Sequence, residues 1–229
     1  MPAMSQPVTD AANPNATSNA NHNAHSSVHA ILIHGMGRTP VSMLLLAKRL
    51  RSAGITPHLF AYSAAFQRWL PCVDRLRRFI VASSGGERFI VIGHSLGCVL
   101  TRAVLPQLPM APQMCIFLAP PNHASIYAIK LSRWRLFRLL TGEMGQLLAN
   151  QEFMDSLPMP QVPLRIYAGI NGPRGAWTPF GDELNDGILS LSEMQLGAFP
   201  LQQLTTIHTT IMNSRQVANE IVAAVKQIK

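Results

Sequence analysis

Gly93-His94-Ser95-Leu96-Gly97 is the one pentapeptide in this chain whose residue types and spacing could do covalent chemistry. An apolar run, Phe89–Ile92, leads into it, and a helical run, Cys98–Leu105, leads out. A serine held between two glycines at a strand-to-helix turn projects its hydroxyl from the top of a sheet, because side chains two residues to either side would collide with the strand and the helix. The N–H of Leu96, at the start of the new helix, could face a developing oxyanion. No GK[ST] follows the glycines, so a phosphate-binding loop is excluded.

A serine hydroxyl is a weak nucleophile without a base, and the base needs an orienting acid. In the chain order Ser, acid, His, only His123 and His208 follow Ser95. His208 stands after an apolar run and before a closing helix, where a general base can sit on a loop above the sheet. His123 precedes every later acid and breaks the order. Asp182, Glu183, Asp186 and Glu193 are the candidate acids. Asp186 is preferred because Gly187 permits a tight turn after it, and Asp182 comes second. The second oxyanion donor is expected near the first apolar run, in His34-Gly35-Met36-Gly37, with the Met36 N–H as candidate. His34 is read as supporting that loop. The chemistry requires no metal and no organic cofactor.

The elements that must position these residues follow from alternation. Short apolar runs at Val28–His34, Thr56–Tyr62, Arg88–Ile92, Met114–Leu118, Leu164–Ala168 and Leu204–Ile207 read as strands. Amphipathic stretches at Val41–Ala53, Trp69–Ala82, Leu96–Leu105 and Arg215–Ile228 read as helices. Leu44, Leu45, Ala47 and Leu50 are expected to face inward on the first helix, and Val73, Leu76, Phe79 and Ile80 on the second. This pattern predicts an α/β fold, an open and mostly parallel sheet with helices on both faces. No internal repeat occurs. Residues 121–163 interrupt the alternation, and about 124–163 reads as a helical, lid-like insertion into a domain spanning 28–229.

Together these pieces resemble the lipase and esterase branch of the α/β-hydrolase superfamily. The carrying residues are Ile31-Leu32-Ile33-His34-Gly35-Met36-Gly37, Gly93-His94-Ser95-Leu96-Gly97, Asn185-Asp186-Gly187 and Ile207-His208-Thr209. The resemblance covers residues 28–228 as spaced motifs and leaves 124–163 unmatched. It implies an α/β-hydrolase fold, a Ser95-Asp186-His208 triad, oxyanion donors at Met36 and Leu96, and cleavage of carboxylic esters. Acyl transfer or thioester cleavage would use the same parts. A non-catalytic hydrolase fold that binds a membrane or protein is the reading from another class. Trp177 and Phe180, close to the motifs in sequence, are candidates to bind substrate.

Composition narrows the partners. Hydrophobic residues make up 48% of the 229 and charged residues only 13%, which suits a large buried core. Cys72, Cys98 and Cys115 form no CxxC pair, and the odd count leaves one thiol unpaired, as expected in a reducing compartment. Residues 1–27, rich in Asn, Ala and Ser, are expected to be a flexible tail. Its His22 and His25, with His29, are read as solvated rather than as a metal tract. The tail lacks the basic-then-apolar order of a secretory signal, so a cytoplasmic location is expected.

The net charge is +8, and it is regional. Thirteen basic residues lie from Lys48 to Arg138 against Asp74 and Glu87 only, whereas Glu143 to Glu193 holds seven acids against Arg165 and Arg174. No helix-turn-helix, aromatic-interleaved strand pair or zinc-finger spacing accompanies that charge, so nucleic acid is not expected. Ile126–Leu148, read as one basic amphipathic helix, could lean on an anionic membrane.

Overall fold

The computed structural model describes residues 28–227. The expected tail, with His22 and His25, lies outside them. Six strands run β1 (His29–Ile33), β2 (Thr56–Phe60), β3 (Phe89–His94), β4 (Cys115–Leu118), β5 (Leu164–Gly169) and β6 (Leu201–Leu204). They form one sheet in the order β2-β1-β3-β4-β5-β6, and every neighbouring pair is parallel. This is the expected open α/β architecture.

Strand side chains alternate between the faces, and each face has its own core. Ile31, Ile33, Val91 and Phe117 pack with α2 (Trp69–Ser84) and α3 (Leu96–Val104). Ala30, Leu32, Ile90, Ile92 and Ile116 pack with α1 (Leu44–Ser52) and α8 (Arg215–Gln227). The central strands are buried on both faces, which is why they read as unbroken apolar runs. The chain steps from β1 outward to β2, then returns past β1 to β3. This reversal places a crevice above the carboxyl ends of β1 and β3, the usual position for a ligand in an open α/β sheet.

Two inward-facing assignments change. Leu44 and Leu45 are exposed, and Leu46 takes the inward place with Ala47 and Leu50. The cause is a 3-10 turn over Pro40–Met43 that delays and rotates the start of α1. The last strand also shifts, to Leu201–Leu204 rather than Leu204–Ile207. As an edge strand paired only with β5, it exposes Gln202 and Gln203, so its apolar content does not mark it.

The 124–163 segment holds three helices, α4 (Ile126–Leu131), α5 (Arg135–Leu147) and α6 (Gln151–Ser156). The single helix expected over Ile126–Leu148 is broken twice. Near Ser132 its hydroxyl binds the Ile129 carbonyl and competes with the backbone ladder. At Gly142 the backbone turns to φ 58°, ψ −150°, and a Cβ there would lie 2.7 Å from the Ala64 carbonyl oxygen. The close approach to the 62–65 loop therefore requires glycine. Glu143, the next residue, accepts the Trp69 N–H at 3.0 Å and ties α5 to the start of α2. α7 (Leu191–Met194), which the alternation missed, begins with a Ser190–Glu193 capping box.

Candidate active site

β3 delivers Ser95 into a sharp turn with φ 52° and ψ −121°. Among the described residues only Ser95 and Ala119 (φ 48°) are non-glycines with positive φ. They follow neighbouring strands β3 and β4, so backbone strain concentrates at one end of the sheet. The flanking glycines are sterically required. A Cβ on Gly93 would lie 2.7 Å from the Cys98 nitrogen, and one on Gly97 would collide with the Ile33 carbonyl oxygen. The Ser95 N–H donates to the Leu118 carbonyl at 2.9 Å, which fixes the turn to β4.

The loop after β5 brings Asp186, fully buried, against His208. Asp186 Oδ2 accepts from His208 Nδ1 at 2.6 Å. The other oxygen, Oδ1, accepts from the Ile188 and Leu189 N–H groups at 2.9 and 2.8 Å. The backbones are joined as well, because the His208 N–H donates to the Asp186 carbonyl at 2.9 Å. A carboxylate only accepts, so the His208 proton sits on Nδ1 and its Nε2 presents a lone pair. Asp182 is exposed, and the carboxylate paired with His208 is that of Asp186. The Ser95 hydroxyl is not hydrogen-bonded to His208 in this structure, a distance that commonly tightens only when substrate is bound.

His94 links the two halves. Its Nε2–H donates to the His208 carbonyl at 3.0 Å, and the two rings stand 5.1 Å apart. Burial, with His208 close by, holds His94 well below the usual histidine pKa, so it stays neutral. The sequence carries no sign of this role, because it depends on register between β3 and a loop 114 residues later.

On the β1 side, Met36 lines the same cavity as Ser95. Leu96 opens α3, so its N–H is among those with no acceptor inside the helix. His34 is buried, stacks on Tyr62 with ring centroids 4.4 Å apart, and bonds the Gly35 carbonyl, while the Tyr62 hydroxyl donates to the His34 carbonyl. These contacts support the loop. His123 is exposed.

The cavity has a volume of about 400 Å³. Tyr127, Leu131 and Phe137 from α4 and α5 form one wall, and Ile188 and Leu189 form another. Trp177, expected to bind substrate, is 78% exposed and does not line it, because its loop turns outward between Gly175 and Gly181. Phe180 is buried but not in the lining either. It packs edge-on behind Tyr127 at 5.3 Å. Proximity in sequence to a motif did not translate into proximity to the cavity.

Glu193, weighed as an acid from sequence, does different work. Its carboxylate accepts from the Ile126 N–H at 2.5 Å and the Ser190 N–H at 2.6 Å, and its carbonyl accepts from the Asn122 N–H. It thereby pins the start of α4 to the loop that carries Asp186. Burial raises its carboxyl pKa. Among the described residues no group of three or more His, Cys, Asp or Glu side chains could hold a metal ion.

No family model matches the chain, and no curated protein matches it either. Solved structures do. The mature lipase of Bacillus licheniformis superposes with a TM-score of 0.63 at 14% identity, over 87% of this chain and 91% of that one. A metagenome-derived lipolytic enzyme gives 0.65 at 12%, over 88% and 94%. An extracellular α/β-hydrolase of a Paenibacillus species gives 0.59 at 16%, over 86% and 98%. At such identities the likeness speaks for architecture, and with the parallel six-stranded sheet and the strained serine turn it leads to one conclusion: this chain has the α/β-hydrolase fold.

Proposed function

We propose that the protein is a serine hydrolase that cleaves carboxylic esters with an apolar acyl group. The observation that carries this reading is the 2.6 Å contact between Asp186 and His208 behind the strained Ser95 turn. Ser95 Oγ attacks the ester carbonyl while His208 Nε2 takes its proton. Asp186 holds the ring in the Nδ1–H tautomer and stabilises the imidazolium. The N–H groups of Met36 and Leu96 receive the oxyanion. Collapse of the tetrahedral intermediate expels the alcohol, protonated by His208, and leaves an acyl-Ser95. Water, deprotonated by His208, then releases the acid. The acyl group is assigned to the cavity walled by Leu131, Phe137 and Leu148, which offer it apolar surface and few polar atoms.

The test is hydrolysis of p-nitrophenyl esters from acetate to palmitate, with Ser95→Ala as control. The expected result is turnover that favours chains longer than acetate and disappears in the variant. Folded protein that neither turns over any ester nor reacts with a fluorophosphonate at Ser95 would overturn the reading.

A further inference from the structure

The outer surface of α4 and α5 carries large apolar side chains that nothing in the described chain covers. Ile129, Trp134, Leu136, Leu139 and Leu140 are all exposed, Trp134 by 65% and Leu139 by 73%. Leu136, Leu139 and Leu140 stand at i, i+3 and i+4, so they share one flank of α5. Phe137, which lines the cavity, and the buried Thr141 face inward from the same stretch. Trp134 sits at the break between the helices, where its N–H bonds the Leu131 carbonyl. Exposed apolar side chains clustered this closely mark a contact surface.

Charge says what the contact is. Lys130, Arg133, Arg135 and Arg138 are exposed within the same stretch, and residues 123–142 contain no Asp or Glu. Among the described residues none of these four cations is in an ion pair. A nucleic acid would neutralise the cations and leave the leucines in water. A second copy would bring four cations against four, since a two-fold contact sets the same patch against itself. An anionic lipid surface satisfies both halves at once. Its headgroups meet the exposed cations, while Trp134 and the leucines enter the acyl boundary.

We infer that the exposed face of α4–α5 docks the protein on an anionic phospholipid bilayer. The inner side of the same helices walls the cavity beside Ser95. Docking therefore holds the cavity at the source of an apolar ester, and this consequence for the substrate, though not the docking, rests on the function proposed above.

The experiment is flotation of Ser95→Ala protein, which cannot degrade the lipid, with phosphatidylcholine vesicles lacking or containing phosphatidylglycerol. Strong binding is expected only with phosphatidylglycerol, and added salt should weaken it. Changing Arg133, Arg135 and Arg138 to Gln should weaken that binding by about a hundredfold. Changing Trp134, Leu136 and Leu139 to Ser should abolish it while leaving thermal stability and turnover of a soluble short ester intact in the otherwise native protein. Equal binding to both vesicles, unchanged binding by both triple variants, or a lipid-free dimer that the serine variant converts to monomer would each overturn the proposal. Vesicle binding by a protein inactive on every ester would overturn the proposed reaction and leave the docking standing, and the converse holds for an active protein that ignores vesicles.

Discussion

Residues 89–104 and residues 126–140 are comparably rich in Ile, Val, Leu, Phe and Ala, yet they meet solvent in opposite ways. In the first stretch only Ser95 and Ala103 escape full burial. In the second, nine of fifteen residues are exposed. The first is β3 and α3, enclosed by strands on both sides and helices on both faces. The second hangs on the sheet's rim with one side inward and nothing opposite the other. Equal hydrophobicity is therefore structural cement in one place and an open surface in the other, and neighbouring elements decide which.

The largest expected effect breaks the enclosed region at its chemistry. Ser95→Ala should lower kcat for a soluble ester by a factor on the order of 10⁴ or more, and Asp186→Asn should approach that loss, because it removes the acceptor that sets the His208 tautomer. Retention of most activity in Asp186→Asn would mean that another group orients His208.

Next comes packing. Leu100 is fully buried and Leu139 is 73% exposed, so the same truncation should separate the two regions. Leu100→Ala should lower unfolding free energy by about 2–5 kcal/mol. Leu139→Ala should stay within about 0.5 kcal/mol of the parent. Denaturant unfolding measures both, and a similar loss in both would show that the outer flank of α5 is covered after all.

A subtler effect sharpens the link between Ser95 and the histidine loop. His94→Leu removes the donor to the His208 carbonyl, leaves that buried acceptor unpaired, and should cost about 1–3 kcal/mol of stability. Its turnover should fall while KM for a short ester holds. His94→Asn, which keeps a donor, should recover part of the turnover.

The smallest effect is on pH. His34 and His94 both have pKa values lowered by burial, so below about 6.5 the unfolded chain takes up protons that the folded one refuses. Their contribution is complete above that pH and declines as pH falls. The thermal midpoint should therefore drop between pH 7 and 5, less steeply in His94→Asn than in the parent. Identical slopes would show that His94 does not resist protonation in the fold.

Much of this is legible in the sequence. Five of the six strands lie where runs such as Phe89–Ile92 and Leu164–Ala168 put them, and the central ones are the plainest because parallel strands buried on both faces leave an unbroken apolar run. Of the two edge strands, β2 lies within its expected run Thr56–Tyr62, whereas β6 is displaced from its expected place because Gln202 and Gln203 face water. The choice of Asp186 over Asp182 rested on a glycine turn, and the structure sets Asp186, not Asp182, against His208. Glu193 entered as a candidate acid, and its actual tasks, capping α7 with Ser190 and holding the Ile126 N–H, emerge only from the structure.

What the sequence by itself determined was periodic or strictly local: the α/β alternation, the glycine-flanked Ser95 turn, and the regional charge. Each depends on contacts within a few residues or on a face repeated along one element. What only the tertiary structure decided spans the chain. The His94 bond to the His208 carbonyl crosses 114 residues and the Glu193 bond to Ile126 crosses 67. Trp177 points to solvent although it lies close to Asp186 in the chain, and α4–α5 present one side to the cavity and the other outward. Such facts follow from how elements stack, and residue spacing along a chain does not encode which side of a helix will find a neighbour.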